Sequence, residues 1–444
     1  MRDFRFGALF CSQGVFALAF FYALSVGLLI QLVMLPFVTP ALDAGHGLLK
    51  GGDWVWFHQE AVQLANRIHH EGWVVWELRP QGNAPIGIAA AAYALTGISE
   101  PWVLMPLNAS LFAVGATCLY MMFALIASHQ LAFAATMPYV IFPSAAVIFG
   151  QIHKDVWSIA GFALVALVWA RFAAYSMLGW KDAGIQVMFA LTGVLLILLV
   201  RPYLVQIVLA ASILAVFVII QPAFTRTKRS VQWWAGVFLS LALLVFFVKS
   251  PSGTEVSETV KPAAWEPTAG EPAGWTRTEL IPVSVDNVLS IVAGIRRGFS
   301  EGYPHAGSNI DTEVKFRSAA DVASYMPRAL QIALFSPFPD MWRGSGFSPG
   351  ADHMRLVSGI EMAFTYLLLP GVVFLFMCRG LHGPTTLVFI QAIVPAIILA
   401  MVVSNIGTLY RMRFVNMQML NGLGMIGWVM WLQHWHAKYR SIQN

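Results

Sequence analysis

PWVLMPLNASLFAVGATCLYMMFALIASHQLAFAATMPYVIFPSAAVIFGQI, residues 101–152, holds no acidic or basic side chain other than His129. A helix that crosses a bilayer takes about 20 predominantly apolar residues. The stretch therefore accommodates two crossings joined by a tight turn, which predicts a helical hairpin with spans near 104–127 and 131–149.

The rest of the chain reads the same way. Of its 444 residues 58% are hydrophobic and only 11% are charged, against about 25% charged in a soluble domain. Apolar and aromatic residues run along the whole sequence, leaving no segment that would fold as a soluble domain of ordinary size. Further charge-poor stretches predict spans near 13–36, 156–173, 184–200, 202–220, 231–248, 356–377, 384–402 and 414–432. The expected fold is an all-α polytopic membrane protein of about ten to eleven crossings. The segment 84–97 is apolar but short, and is read either as re-entrant or as an eleventh helix. Met1 to Arg5 is basic, and no charge occurs from Phe6 to Leu42. That apolar run exceeds the 7–15 residues of a signal-peptide core, so an uncleaved first helix is expected.

Lys and Arg collect on cytoplasmic loops. In this scheme one side receives Arg2, Arg5, Arg171, Lys181, Arg226, Lys228, Arg229, Arg379, Lys438 and Arg440, with only Asp3 and Asp182 as acids. That side reads as cytoplasmic, with both termini on it, and the bacterial inner (cytoplasmic) membrane is the expected location. Residues 1–248 form an N-terminal membrane region whose first outer loop spans 39–84. Residues 249–355 form a long extracytoplasmic loop, and 356–444 the C-terminal helices. The long loop opens on a Pro/Gly/Glu-rich stretch, Pro251 to Pro272, read as extended. Helical periodicity near 284–298 and 318–335 predicts helices at the membrane surface.

The formal charge of +5 does not point to nucleic acid, because the bases lie at the ends of apolar runs and form no basic face. Cys11, Cys118 and Cys378 show no pairing or metal spacing. Gly346-Phe347-Ser348-Pro349-Gly350 fits G-x-S-x-G, but that elbow needs a backbone N–H after the serine, and Pro349 has none. His69-His70-Glu71 and His434-Trp435-His436 lack a zinc spacing.

Four groups of charged residues fall on the outer side: Gly51-Gly52-Asp53, His153-Lys154-Asp155, Arg201-Pro202-Tyr203 and Arg411-Met412-Arg413. Bases there run against the positive-inside bias, and charge near the membrane is often functional. Snorkelling to lipid phosphates is the structural alternative. Lys154, Arg201, Arg411 and Arg413 converging on one rim suggest a phosphate, which Arg grips with a planar fork and Lys with a compact charge. Asp53 heads a stretch with Phe57, Ala61, Leu64, Ala65 and Ile68 at helical spacing. It is either a helix N-cap or a general base that takes a proton from an acceptor hydroxyl. Glu60 follows two turns on, either to orient Asp53 or share a metal with it, or as a solvated surface acid. His58, Asp155 and Tyr203 are candidate supporting residues. Trp54, Trp56, Trp73 and Trp76 suit the membrane interface.

GGDWVWFHQEAVQLANRI and RPQGNAPIGIAAAAYALTG in the first outer loop resemble the C-type glycosyltransferase superfamily, multi-spanning enzymes that use polyprenyl-phosphate-linked sugars. FPSAAVIFGQIHKD, the RPY at 201–203, MPRALQIALFSPFP at 326–339 and NIGTLYRMR at 405–413 resemble related bacterial envelope-polysaccharide proteins. The resemblance implies a sugar transferred from a polyprenyl-phosphate donor to a glycan or lipid-linked acceptor, with Asp53 as the catalytic acid. Many members carry two close acids in this loop. Here Asp53 is followed by Trp54, Val55 and Trp56, so no cofactor is fixed and a divalent metal stays open. The alternatives are a polysaccharide polymerase and, more distantly, a lipid-linked sugar flippase.

Overall fold

The computed structural model describes residues 10–225, 228–249, 274–302, 304, 306–344, 350–381 and 383–443. Met1 to Arg5, Arg226, the Pro251–Pro272 stretch and residues 346–349 of the G-x-S-x-G match lie outside them. The first helix, α1 (Ser12–Leu29), continues as a π-helix over Ile30–Val38. After it come α2 (Asp53–Glu71), α3 (Ala84–Thr96), α4 (Met105–Ala124), α5 (His129–Ile141), α6 (Pro143–Phe149), α7 (Asp155–Ala174) and α8 (Trp180–Val200). The remainder are α9 (Leu204–Thr225), α10 (Val231–Lys249), α11 (Val283–Gly302), α12 (Ala319–Phe335), α13 (Ala351–Arg379), α14 (Gly383–Val402), α15 (Ile406–Met412) and α16 (Phe414–Gln443). Among the described residues β-pairing is confined to two isolated bridges, Asp43–Leu49 and Asn309–Asn405.

This is a multi-pass α-helical membrane protein. Eight helices among the described residues are long and apolar enough to cross a bilayer by length and composition, beside the ten to eleven crossings expected. The second arm of the predicted hairpin is not one straight helix. Pro143 starts a new helix after Phe142, and α5 and α6 meet at a 67° bend, so they count as a ninth crossing only if taken together. The segment expected to cross at 414–432 forms the start of α16, but Asn416, Gln418 and Asn421 lower its hydropathy and face the protein interior. The helix α3 has 13 residues, about 20 Å at 1.5 Å per residue, and falls short of a hydrocarbon core about 30 Å thick. It packs on α2 instead.

Two close helix crossings set the geometry of the bundle. A Cβ on Gly161 of α7 would meet the Gly193 carbonyl of α8 at 2.5 Å, and one on Gly193 would meet the Gly161 carbonyl at 2.7 Å. Small residues let membrane helices approach backbone to backbone, and here they bring the start of α7 beside the end of α8. Gly371, Gly424 and Gly427 serve the α13–α16 crossing in the same way.

The first loop behaves as its periodicity predicts. Trp54, Phe57, His58, Ala61, Leu64, Ala65 and Ile68 form one buried face of α2. They pack with Ile86, Ala89, Ala90 and Tyr93 of α3, and with Ile152, in a small core separate from that of the bundle. The long loop also contributes two helices: α11 and α12 both pack on the spanning helix α14.

Candidate anion site

At the end of the bundle where α7 starts and α8 stops, Asp155 and Arg201 form a buried ion pair. Arg201 Nη2 donates to Asp155 Oδ1 at 2.7 Å, and Arg201 Nη1 donates to the Tyr203 hydroxyl at 2.9 Å. Burial works against the Arg201 charge, but Tyr203 and Asp155 outweigh it and hold its pKa above the ordinary value.

Lys154 precedes Asp155. Its Nζ donates to Asn83 Oδ1 at 2.5 Å and sits 5.2 Å from the centre of the Phe57 ring. Burial, reinforced by repulsion from Arg201, lowers its pKa to about 8, with Asp53 and Asp155 offsetting part of the fall. Asp53 thus acts electrostatically on both Lys154 and Arg201, although its own side chain is exposed. The N-cap of α2 is Gly52 and no side chain caps the helix. The N-cap alternative for Asp53 is therefore overturned: the carboxylate occupies the first helical position and is free of a capping bond.

His153 joins the third cation to the cluster. Arg411 Nη1 lies 2.9 Å from His153 Nε2. A guanidinium only donates, so Nε2 accepts. The Asp155 backbone N–H donates to Nδ1 at 3.0 Å, and Asp155 Oδ2 lies 3.1 Å from the same nitrogen without a hydrogen bond. Burial above all, with repulsion from the three surrounding cations, lowers the His153 pKa to about 3 against the pull of Asp155. The imidazole is neutral at pH 7, as accepting from Arg411 requires. With Tyr410 donating to Glu361 Oε2, and the Ser144 backbone N–H to Oε1 at 2.7 Å, α15 is fastened to α13 on one side and to His153 on the other.

The structure thus brings together Asp53, Lys154, Asp155, Arg201, Tyr203 and Arg411. Three expected site residues stand elsewhere. Arg413 is fully buried and spends its guanidinium on the carbonyls of Ile332 (2.6 Å), Ala333 and Ser336 at the end of α12. His58 turns to the α2–α3 core, with Nδ1 3.0 Å from the Tyr93 hydroxyl. Glu60 accepts from Gln81 Nε2 at 3.3 Å, and none of the three cations bonds it. Among the described residues no three of His, Cys, Asp and Glu gather to hold a metal. Asn83 and Phe57, which fix the Lys154 ammonium, are not marked in the sequence as site residues. Asn83 carries no motif, and Phe57 reads only as a core position.

The cluster holds three cations against two carboxylates, one of them tied up in the Arg201 pair. Its chemistry is that of a receptor for an anion with several oxygens, with a free carboxylate at the edge. No protein-family model, no curated protein and no solved structure matches the chain.

Proposed function

We propose that this membrane protein is a glycosyltransferase working on the extracytoplasmic face of the cytoplasmic membrane. It would move a sugar from a polyprenyl-phosphate donor to an acceptor hydroxyl. The observation that supports this reading most is the exposed, uncapped Asp53 within the electrostatic reach of Lys154 and Arg201. In the proposed step Asp53 takes the proton of the acceptor hydroxyl as its oxygen bonds to the anomeric carbon. The bond from that carbon to the phosphate oxygen breaks, and polyprenyl phosphate leaves with the electron pair. Lys154, Arg201 and Arg411 receive the charge that develops on the leaving group, and preorganised cations are an effective source of rate. Arg413 has no part in this, its Nη1 and Nη2 being committed to backbone carbonyls in the core.

The deciding experiment is Asp53→Asn, assayed for transfer from a polyprenyl-phosphate sugar in reconstituted membranes. The variant keeps donor binding and loses transfer; transfer at the wild-type rate would remove Asp53 from the reaction. A reporter fused after Asn444 that appears on the outer side would reverse the topology on which the reading depends.

A further inference from the structure

His46, His58, Glu100 and Tyr93 form a second cluster, on the same buried face of α2 as Phe57. Residues Asp43–Leu49 make a tight turn closed by the Asp43–Leu49 bridge, and His46 stands at its tip with φ +58 between Gly45 (φ +101) and Gly47 (φ +69). A side chain other than glycine in this left-handed region is strained, and such residues cluster at functional sites. Both oxygens of Glu100 lie close to His46 Nδ1, at 3.1 and 3.0 Å. The Tyr93 hydroxyl holds His58 Nδ1 at 3.0 Å. Each ring is thus gripped by an oxygen at Nδ1, and neither Nε2 has a partner among the described residues. The His58 ring is buried.

The ring centres are 4.8 Å apart and tilted by 50°. An imidazole centre lies about 3.2 Å from a metal bound at about 2.1 Å to its nitrogen. Two rings on one ion therefore stand about 4.5 Å apart at a right angle and about 5.2 Å apart at the tetrahedral angle. The observed separation falls between these limits. An outer oxygen on the second nitrogen is also how metal-binding histidines are oriented. We propose that His46 and His58 bind one divalent transition ion of the zinc class through Nε2, with Glu100 and Tyr93 as the outer partners. Imidazole suits such ions, and with two protein ligands the remaining positions are open to water or to a ligand oxygen. The site stands independently of the transferase reading.

The test uses the untagged, metal-stripped full chain in detergent micelles, titrated with zinc chloride by calorimetry and with Co2+ by visible absorbance. One ion per chain is expected. His46→Gln and His58→Gln should each weaken it by about thirtyfold or more, and Tyr93→Phe and Glu100→Gln by about 10–100-fold, the range for outer-partner loss. The paired change His69→Gln, His70→Gln should leave it unaltered. His46→Gly should abolish binding while raising the melting temperature of the metal-free chain, because the left-handed strain is relieved. His46 is 53% exposed, so its variants keep the fold even where those of His58 do not. Absence of saturable binding by the wild type, or wild-type affinity in both His46→Gln and His58→Gln, would overturn the proposal.

Discussion

Asp155 and Arg201 meet across the α7–α8 crossing, Oδ1 to Nη2 at 2.7 Å, with their side chains only 1% and 13% exposed. The pair neutralises one of the three cations and leaves Lys154 and Arg411 as the excess positive charge. It also fixes the guanidinium of Arg201, whose other end holds Tyr203. Asp155 touches both sides of the cluster: its Oδ1 takes Arg201, and its backbone N–H donates to His153 Nδ1, whose Nε2 accepts from Arg411. One residue therefore contacts Arg201 directly and Arg411 through the His153 ring.

Removing Asp155 alone should be costly. Asp155→Asn leaves Arg201 buried without its counter-charge, and breaking a buried pair on one side costs about 3–5 kcal/mol. Replacing both partners by apolar residues of similar volume is often neutral or stabilising. The double variant Asp155→Leu, Arg201→Met should therefore recover the thermal stability in detergent that Asp155→Asn loses, while binding pyrophosphate no better. A double variant as unstable as the single one would mean that the pair is not the source of the cost.

Lys154 gives two pH dependences of opposite sign. Its pKa is lowered from 10.5 to about 8 because burial and Arg201 disfavour the ammonium. Between those values the unfolded chain binds more protons than the folded one, so this group makes stability rise with pH across that window. The cost of holding the buried ammonium is full below about 8 and has gone above 10.5. Anion binding runs the other way, because deprotonated Lys154 attracts no phosphate. Pyrophosphate affinity should fall as pH rises through about 8, and Lys154→Arg should carry binding to higher pH. His153, with a pKa near 3 in the folded chain, adds no step to the anion affinity between pH 5 and 7. A flat affinity from pH 7 to 9 in the wild type would refute the role of Lys154.

The helices were legible in the sequence because a run of about 20 residues without charge suits a hydrocarbon core and not a soluble surface. What escaped was whatever depends on two distant segments meeting. Asp155 and Arg201 both stood out individually, but their pairing follows from the Gly161–Gly193 approach, which no local pattern announces. The break at Pro143 was visible as a proline inside an apolar run, where it starts a helix more readily than it continues one. In α16, Asn416, Gln418 and Asn421 were diluted by their apolar neighbours. His46 and Glu100 have no neighbours in sequence that would mark them. Arg413 was legible in principle: residues two apart on a helix do not share a face. Arg411 and Arg413, at the end of the seven-residue α15, were therefore poorly placed to grip one phosphate.

That contrast makes the sharpest prediction. Arg411 bonds His153 at the edge of the anion cluster and is half-buried. Arg413 is sealed in the core and donates to the carbonyls of Ile332, Ala333 and Ser336. Truncating Arg413 strands those acceptors at the end of α12, and each buried unsatisfied group costs about 1–3 kcal/mol. Arg413→Met should therefore lower the melting temperature sharply and reduce every activity in proportion to the fraction that unfolds. Arg411→Gln should leave melting nearly unchanged and weaken pyrophosphate binding about tenfold or more, a difference of about 1.4 kcal/mol. His153→Phe should copy the binding loss of Arg411→Gln, because it deprives Arg411 of its acceptor. Adding that change to Arg411→Gln should cost little further affinity, since residues in one hydrogen-bonded chain are not additive. If Arg413→Met melted like the wild type and lost only anion affinity, Arg413 would belong to the anion site after all. The core contacts described for its guanidinium would then carry no structural weight.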